Sequence, residues 1–268
     1  MRSELRRTNR AHLPAALVLL AGLVITWFAY APGLGGGLHF DDRANLSGLA
    51  SVSDLESAFN FIATGVSSSI GRPLALASFI PQAYAWPDMA DVFLRTNILI
   101  HLLNGVLVVW FLYLLGRAQY QPERKAAVIA AAAGGIWMLL PLLASSSLFI
   151  VQRMTTLAAM FSLLGAVGYL YARRGLNMRP VLALCGMTLS LGVFGTLGIL
   201  AKENAAVLLL FVLAVESILL DRPPALSRKV WGTWFTLVLI TPLVLLFVFL
   251  AQALPYSENA ILQRNFSG

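Results

Sequence analysis

Cysteine, histidine and charge are all scarce in this chain. One cysteine in 268 residues excludes a disulfide framework, and Cys185, set inside an apolar stretch, reads as an inert packing residue. Three histidines and no His/Cys/Asp cluster at ligand spacing leave no metal centre to read. No glycine-rich phosphate loop, dinucleotide fingerprint or G-x-S-x-G elbow occurs. Internal repeats and low-complexity tracts are missing too. Charged residues make up only 12% of the chain, against about a quarter in soluble domains. The net charge of +7 would fit nucleic acid. However, no run interleaves Lys and Arg with aromatics, and most basic residues flank apolar spans.

What the chain has in excess is hydrophobic surface: 59% of residues, with a mean hydropathy of +0.79. A single soluble core cannot hide that fraction, so lipid is the expected solvent. Taking about 20 apolar residues per crossing, the sequence predicts spans at 13–31, 92–115, 126–144, 148–172, 180–200, 204–220 and 230–251. The expected fold is an all-α polytopic membrane protein, a single module over 1–268 with about seven transmembrane helices. A long first extracytoplasmic loop, 32–91, would carry short interfacial helices, and 252–268 would end the chain on the same side.

Orientation follows from Lys and Arg. Thirteen flank one side of these spans and six the other, so the first side is cytoplasmic. The segment 73–86 is apolar but bounded by Pro73 and Pro87 and interrupted by Pro81. Fourteen helical residues reach about 21 Å, short of a ~30 Å hydrocarbon core. Letting it cross would turn the balance to 8 inside against 11 outside. It is therefore read as interfacial or re-entrant, which puts the N-terminus in the cytoplasm and the C-terminus in the periplasm of an inner membrane. Residues 1–31 also resemble a signal peptide ending at Ala29-Tyr30-Ala31. The long apolar run and bulky Trp27 and Phe28 favour a retained span, and either reading sends residue 32 onward outside. In the outer loop, Val52, Leu55, Phe59 and Ile62 recur at helical spacing, and Ser53 with Glu56 forms a capping-box pattern. This predicts a surface helix at about 53–63.

The residues able to carry chemistry collect on that outer side. Asp41 and Asp42 follow His39-Phe40 just after the first span; adjacent carboxylates repel, which favours a usable base, though turn-forming aspartates in a solvated loop read equally simply. Arg153 lies a few residues into the fourth predicted span, where an ionisable group is expensive; it suits a phosphate by its fork, or it snorkels. Lys202-Glu203-Asn204 joins two spans without glycine or proline, as a site or as a self-paired polar turn. His101 and Asn104, one turn apart after Arg95 and Asn97, fit a helix–helix hydrogen bond better than a metal site. Carboxylates and several cations beside lipid are what a hydroxyl acceptor and a departing lipid phosphate require.

Five stretches in order carry a resemblance: HFDD at 39–42, GRPL at 71–74, LRTNILIHLLNGVLVVWFL at 94–112, PLLASSSLFIVQRMTTLAAMFSLL at 141–164 and AKENAAVLLL at 201–210. The chain resembles the GT-C superfamily of polyprenyl-phosphate-sugar-dependent glycosyltransferases, in particular the transmembrane-tetratricopeptide O-mannosyltransferases and their bacterial relatives. That family's His-Pro before the fourth span is Leu140-Pro141 here, so the role of that histidine is absent. The resemblance implies Asp41 as catalytic carboxylate with Asp42 beside it, and donor-phosphate binding by Arg153, Lys202 and Arg72. Glu203, His101, Arg95, Asn97, Arg43 and His39 would support the site. It implies a lipid-linked sugar donor, an acceptor protein, glycan or lipid, and an inverting outcome. Membrane lipids are partners, nucleic acid is not, no cofactor is called for, and a divalent metal stays open. The chain covers the shared seven-helix module, as a truncated or short form would. A lipid or sugar translocator and an assembly subunit without a site are the competing classes. The inverted repeats common in transporters are missing.

Overall fold

The computed structural model describes residues 2–39, 41–65 and 71–248, with side chains from His12 onward. Among these residues it is helical throughout, without a strand. The long helices are α1 (Arg2–Tyr30), α5 (Ala90–Ala118), α6 (Glu123–Met138), α8 (Arg153–Arg173) and α9 (Pro180–Ala201). Between α1 and α5 lie α2 (Asp41–Leu46), α3 (Leu55–Ala63) and α4 (Pro73–Ala77). A short α7 (Ala144–Leu148) precedes α8, and α10 (Val207–Ala214) and α11 (Arg228–Phe235) follow α9. Both of these last two continue as π-helical turns, Val215–Leu219 and Thr236–Ile240.

Five helical stretches are long and apolar enough to cross a membrane: His12–Gly35, Ala90–Ala118, Arg153–Arg173, Pro180–Ala201 and Arg228–Val248. A sixth appears if α6 and Pro141–Leu148 count as one span bent by 55°. Proline explains the break, because Pro141 has no N–H to continue α6. The expected 126–144 span therefore stops at Met138, and the expected 148–172 span begins at Arg153. The expected sixth span, 204–220, is a 3-10 turn at Glu203–Ala206, then α10 and its π turn. The 13 residues from Val207 to Leu219 reach only about 20 Å, so length alone does not make them a crossing. Of 230–251, residues 249–251 lie outside the described chain, as do 252–268 and Arg264.

The helices pair through small residues. A Cβ on Gly22 of α1 would sit 3.2 Å from the Gly135 Cα of α6, so the two backbones pack directly, as lipid-embedded helices do. Likewise a Cβ on Gly168 would meet the Ser190 hydroxyl at 2.1 Å, and that hydroxyl donates to the Gly165 carbonyl at 3.0 Å. This seam makes α8 and α9 the most extensively packed pair. Cys185 is not part of a seam. It shares the exposed face of α9 with Val181, Leu182, Leu189 and Val193, so the packing role expected for it does not hold.

One end of the bundle carries the loop helices and is called here the loop end. Its core joins Leu46, Leu49, Phe61, Leu76 and Phe79 to Phe93 and Leu94 of α5 and Ile150, Met154 and Leu157 near α8. A second core at the opposite, basic end gathers Phe111, Leu114, Tyr169, Leu170 and Leu226. The predicted surface helix forms as α3, but Asp54 caps it, accepting from Ser57 N–H at 2.8 Å while the Ser57 hydroxyl accepts from Asp54 N–H at 3.0 Å. Ser53 and Glu56 are not the capping pair. Hydrogen bonds from Ser57 hold the Asp54 carboxyl below its ordinary pKa. The predicted stripe also divides: Leu55 and Phe59 are 90% and 68% exposed, because Ala58 and Phe61 are the residues turned into the loop core.

Candidate functional site

The loop-end termini of α5, α8 and α9 meet α2 and α4 at one corner. Asp42 fixes α2 there. Its carboxylate is fully buried and accepts from His39 N–H at 2.8 Å and from Val151 N–H at 2.7 Å, across 109 residues. Both oxygens are therefore committed to backbone donors, which leaves Asp42 an anchor rather than a base. Asp41 and Arg43 flank it on the exposed side of the same short helix. The Asp41 carbonyl accepts from Asn45 Nδ2 at 2.8 Å.

Arg153 is 0% exposed. Its Nε donates to Asn97 Oδ1 at 2.8 Å, and its two terminal nitrogens donate to Ser78 O at 3.0 Å and Phe93 O at 3.1 Å. The guanidinium also lies 4.2 Å from the Phe79 ring centroid, a cation–π contact. Asn97 in turn donates to the carbonyls of Phe149 and Ile150. Every nitrogen of Arg153 is thus spent on the protein, so here it braces the first loop against α5 and α8. A phosphate could reach it only after those bonds broke, so the cations that stay accessible lie elsewhere.

Those are Arg72 and Lys202. Arg72 donates from Nε to Glu203 Oε2 at 3.1 Å, with a terminal nitrogen also at 3.1 Å, while its side chain keeps 20% exposure. Lys202 Nζ donates to Thr155 Oγ1 at 2.7 Å, and Thr155 donates to Gln152 Oε1 at 2.6 Å. Burial, and then the Arg72 charge, push the Lys202 ammonium below its ordinary pKa, with Glu203 opposing them. Two cations against one carboxylate leave the cluster net positive. Arg72 also sits in the left-handed backbone region, φ 52° and ψ 51°, directly before Pro73. That conformation is rare for a non-glycine residue, and a following proline restricts it further. Strain of order 1–3 kcal/mol persists only where the surroundings enforce it, and it concentrates at working sites.

The other expected residues lie apart from the cations. His101 stacks between Tyr30 and Trp137, at 5.1 and 5.4 Å, and its Nε2 donates to the Met138 carbonyl at 2.9 Å. Asn104 donates to Thr156 O at 2.9 Å. Arg95 pairs with Asp91 one turn away at 3.3 Å, on the surface. His39 tilts against Phe149 at 5.3 Å. No group of three potential metal ligands occurs among the described residues.

Sequence reasoning missed two parts of this corner. Thr155 holds the Lys202 ammonium and is itself oriented by Gln152; their i, i+3 spacing at the start of an apolar helix was the available signal. The second part is an apolar groove of about 470 Å³ between α9, α10 and the helical stretch that continues α11 past Phe235. Ile199, Ala205 and Ala206 line it on either side of the turn that carries Lys202 and Glu203. No protein-family profile, curated protein or solved structure matches this chain.

Proposed function

We propose that this protein is a membrane glycosyltransferase that moves a sugar from a polyprenyl phosphate to an acceptor hydroxyl on the extracytoplasmic face. Asp41 takes the proton from the acceptor hydroxyl, whose oxygen attacks the anomeric carbon. The bond from that carbon to the phosphate oxygen breaks, and the electron pair leaves with the phosphate, whose charge Arg72 and Lys202 stabilise. An inverting outcome follows from the resemblance. The observation that carries this reading is the meeting of Arg72 and Lys202 around Glu203 and Thr155, partly exposed, at the corner where Asp42 pins α2. Asp42 is bonded to Val151 just before α8, whose first turn carries Thr155, the partner of Lys202.

Contacts at both ends of α10 support a seven-span topology. Glu203 pairs with Arg72 near the start of α8, and Glu216 accepts from Arg173 at its end and from Tyr169 at 2.6 Å. The short helix with its π turn therefore traverses the depth of α8, and the membrane would thin around it. With the N-terminus cytoplasmic, cysteines placed at Asn45 and Tyr120 in a Cys185→Ala background should label from opposite sides of the membrane. Labelling of both from one side overturns the topology.

Donor binding should depend on pH through Lys202. Only the ammonium attracts phosphate, so affinity is full below the Lys202 pKa and declines as pH rises through it. Because that pKa is lowered, the decline should begin at a lower pH than an ordinary lysine would give. Lys202→Arg should remove the decline, since guanidinium stays charged. Titrating polyprenyl phosphate binding to both proteins reads this directly, and parallel curves would remove Lys202 from the site.

A further inference from the structure

Glu203 sits among the cations of the corner rather than beyond them. Its Oε2 accepts from Arg72 Nε and from one terminal nitrogen of Arg72, each at 3.1 Å. It therefore fills the edge of the guanidinium that a phosphate would use. The other terminal nitrogen points at Met154 Sδ, 3.6 Å away, and Lys202 Nζ bonds Thr155, the next residue of α8. The backbone at Lys202 is extended, φ −164° and ψ 140°, so neighbouring side chains diverge. Lys202 turns to α8 and Glu203 to Arg72. The Glu203 side chain keeps 36% exposure, which leaves it water to swing into when a phosphate takes its place.

Two cations less one carboxylate give the cluster a single net positive charge. A lipid phosphate that carries a sugar is a diester with one negative charge, which this cluster balances. When the bond from the anomeric carbon to the phosphate oxygen breaks, the electron pair stays on that oxygen. The product is a monoester, which loses its second proton at about pH 6 and so carries close to two charges at neutral pH. Cations alone would hold such a product more tightly than the donor. We propose that Glu203 sets the site's preference for the singly charged diester, and that it returns to Arg72 as the doubly charged product leaves. Competition for Arg72 weakens both ligands alike, but a carboxylate beside the bound phosphate repels two charges twice as strongly as one. The inference rests on the transferase reading for the identity of the two ligands, while the charge preference rests on the cluster itself.

The test compares farnesyl phosphate, farnesyl methyl phosphate and farnesol, which share one tail and carry about two, one and no negative charges at about pH 8. Binding is measured to the purified full chain in nanodiscs of zwitterionic lipid. Glu203→Gln should tighten farnesyl phosphate about tenfold, or ~1.4 kcal/mol. It should tighten farnesyl methyl phosphate only about threefold, because the repulsive energy scales with the ligand's charge. Glu203→Ala should act as Glu203→Gln does. Glu203→Asp keeps the carboxylate and should stay near the wild type, and farnesol should bind all four proteins alike. No shift, equal shifts for the two phosphates, weaker binding in Glu203→Gln, or Glu203→Asp matching Glu203→Gln would each overturn the role of Glu203 and leave the phosphate site standing. If neither phosphate binds the wild type better than farnesol, the cations take no phosphate, and the transferase reading falls together with this inference.

Discussion

Asp41→Asn should lower sugar transfer by about 10²–10⁴-fold, the range a positioned general base supplies, with thermal stability and donor binding unchanged. The reason lies in the different settings of two neighbouring carboxylates. Asp41 is exposed on the short helix that Asp42 pins to Val151. Asp42 is buried with each oxygen taken by a backbone N–H. An asparagine at 42 offers only one acceptor oxygen, so Asp42→Asn strands a buried donor at a cost of about 1–3 kcal/mol and should appear first as reduced stability. Single-turnover transfer from a lipid-linked sugar, with melting curves for both variants, separates the two. Full activity in Asp41→Asn would remove it as the base. Loss of activity in Asp42→Asn without loss of stability would make Asp42 the base instead.

Arg153→Leu should destabilise the protein by about 3–5 kcal/mol, seen as a drop of about 10 °C in apparent melting temperature. Three buried acceptors, Ser78 O, Phe93 O and Asn97 Oδ1, lose their donor together. Leucine restores some apolar volume but offers none of these acceptors a donor, and the bonds to Asn97 and Phe93 are buried. Arg153→Lys should recover little, because one ammonium on a flexible stem cannot fork to acceptors on three segments. Arg72→Ala provides the contrast. Its partner Glu203 is partly exposed, so the fold should survive while donor affinity falls. If Arg153→Lys were stable but defective in donor binding, Arg153 would hold the phosphate and the brace would be incidental.

The sequence made the helical class and the gathering of polar residues at one end legible, since both follow from hydrophobic run length and from charge that lipid will not tolerate. What it left hidden depended on distance. Arg153 was recognised as costly, but its compensation lies 56 to 75 residues away, at Asn97, Phe93 and Ser78, and no local pattern announces that partnership. The predicted span 126–144 was drawn through a break that Pro141 itself signalled. On α3 the surface helix was read from its period, and its Leu55 and Phe59 stay exposed, but the face that packs on the loop core, Ala58 and Phe61, was not read, because periodicity reveals a stripe without saying which neighbour covers the other face. The groove was invisible for the opposite reason. It is made by what Gly192 and Gly195 omit, on helices too uniformly apolar for a pattern to single out one face.

The bonds at the loop end also impose an order in time. Asp42 waits for Val151, 109 residues later, and the Ser78 carbonyl waits for Arg153, 75 residues later. At synthesis rates of about 5–20 residues per second, the first loop waits roughly four to twenty seconds before its fasteners arrive. During that interval the apolar residues of its core, Leu46, Leu49, Phe61, Leu76 and Phe79, have only one another and the bilayer surface to cover them. Nascent chains arrested before and after α8 emerges should therefore differ sharply in protease sensitivity at the first loop.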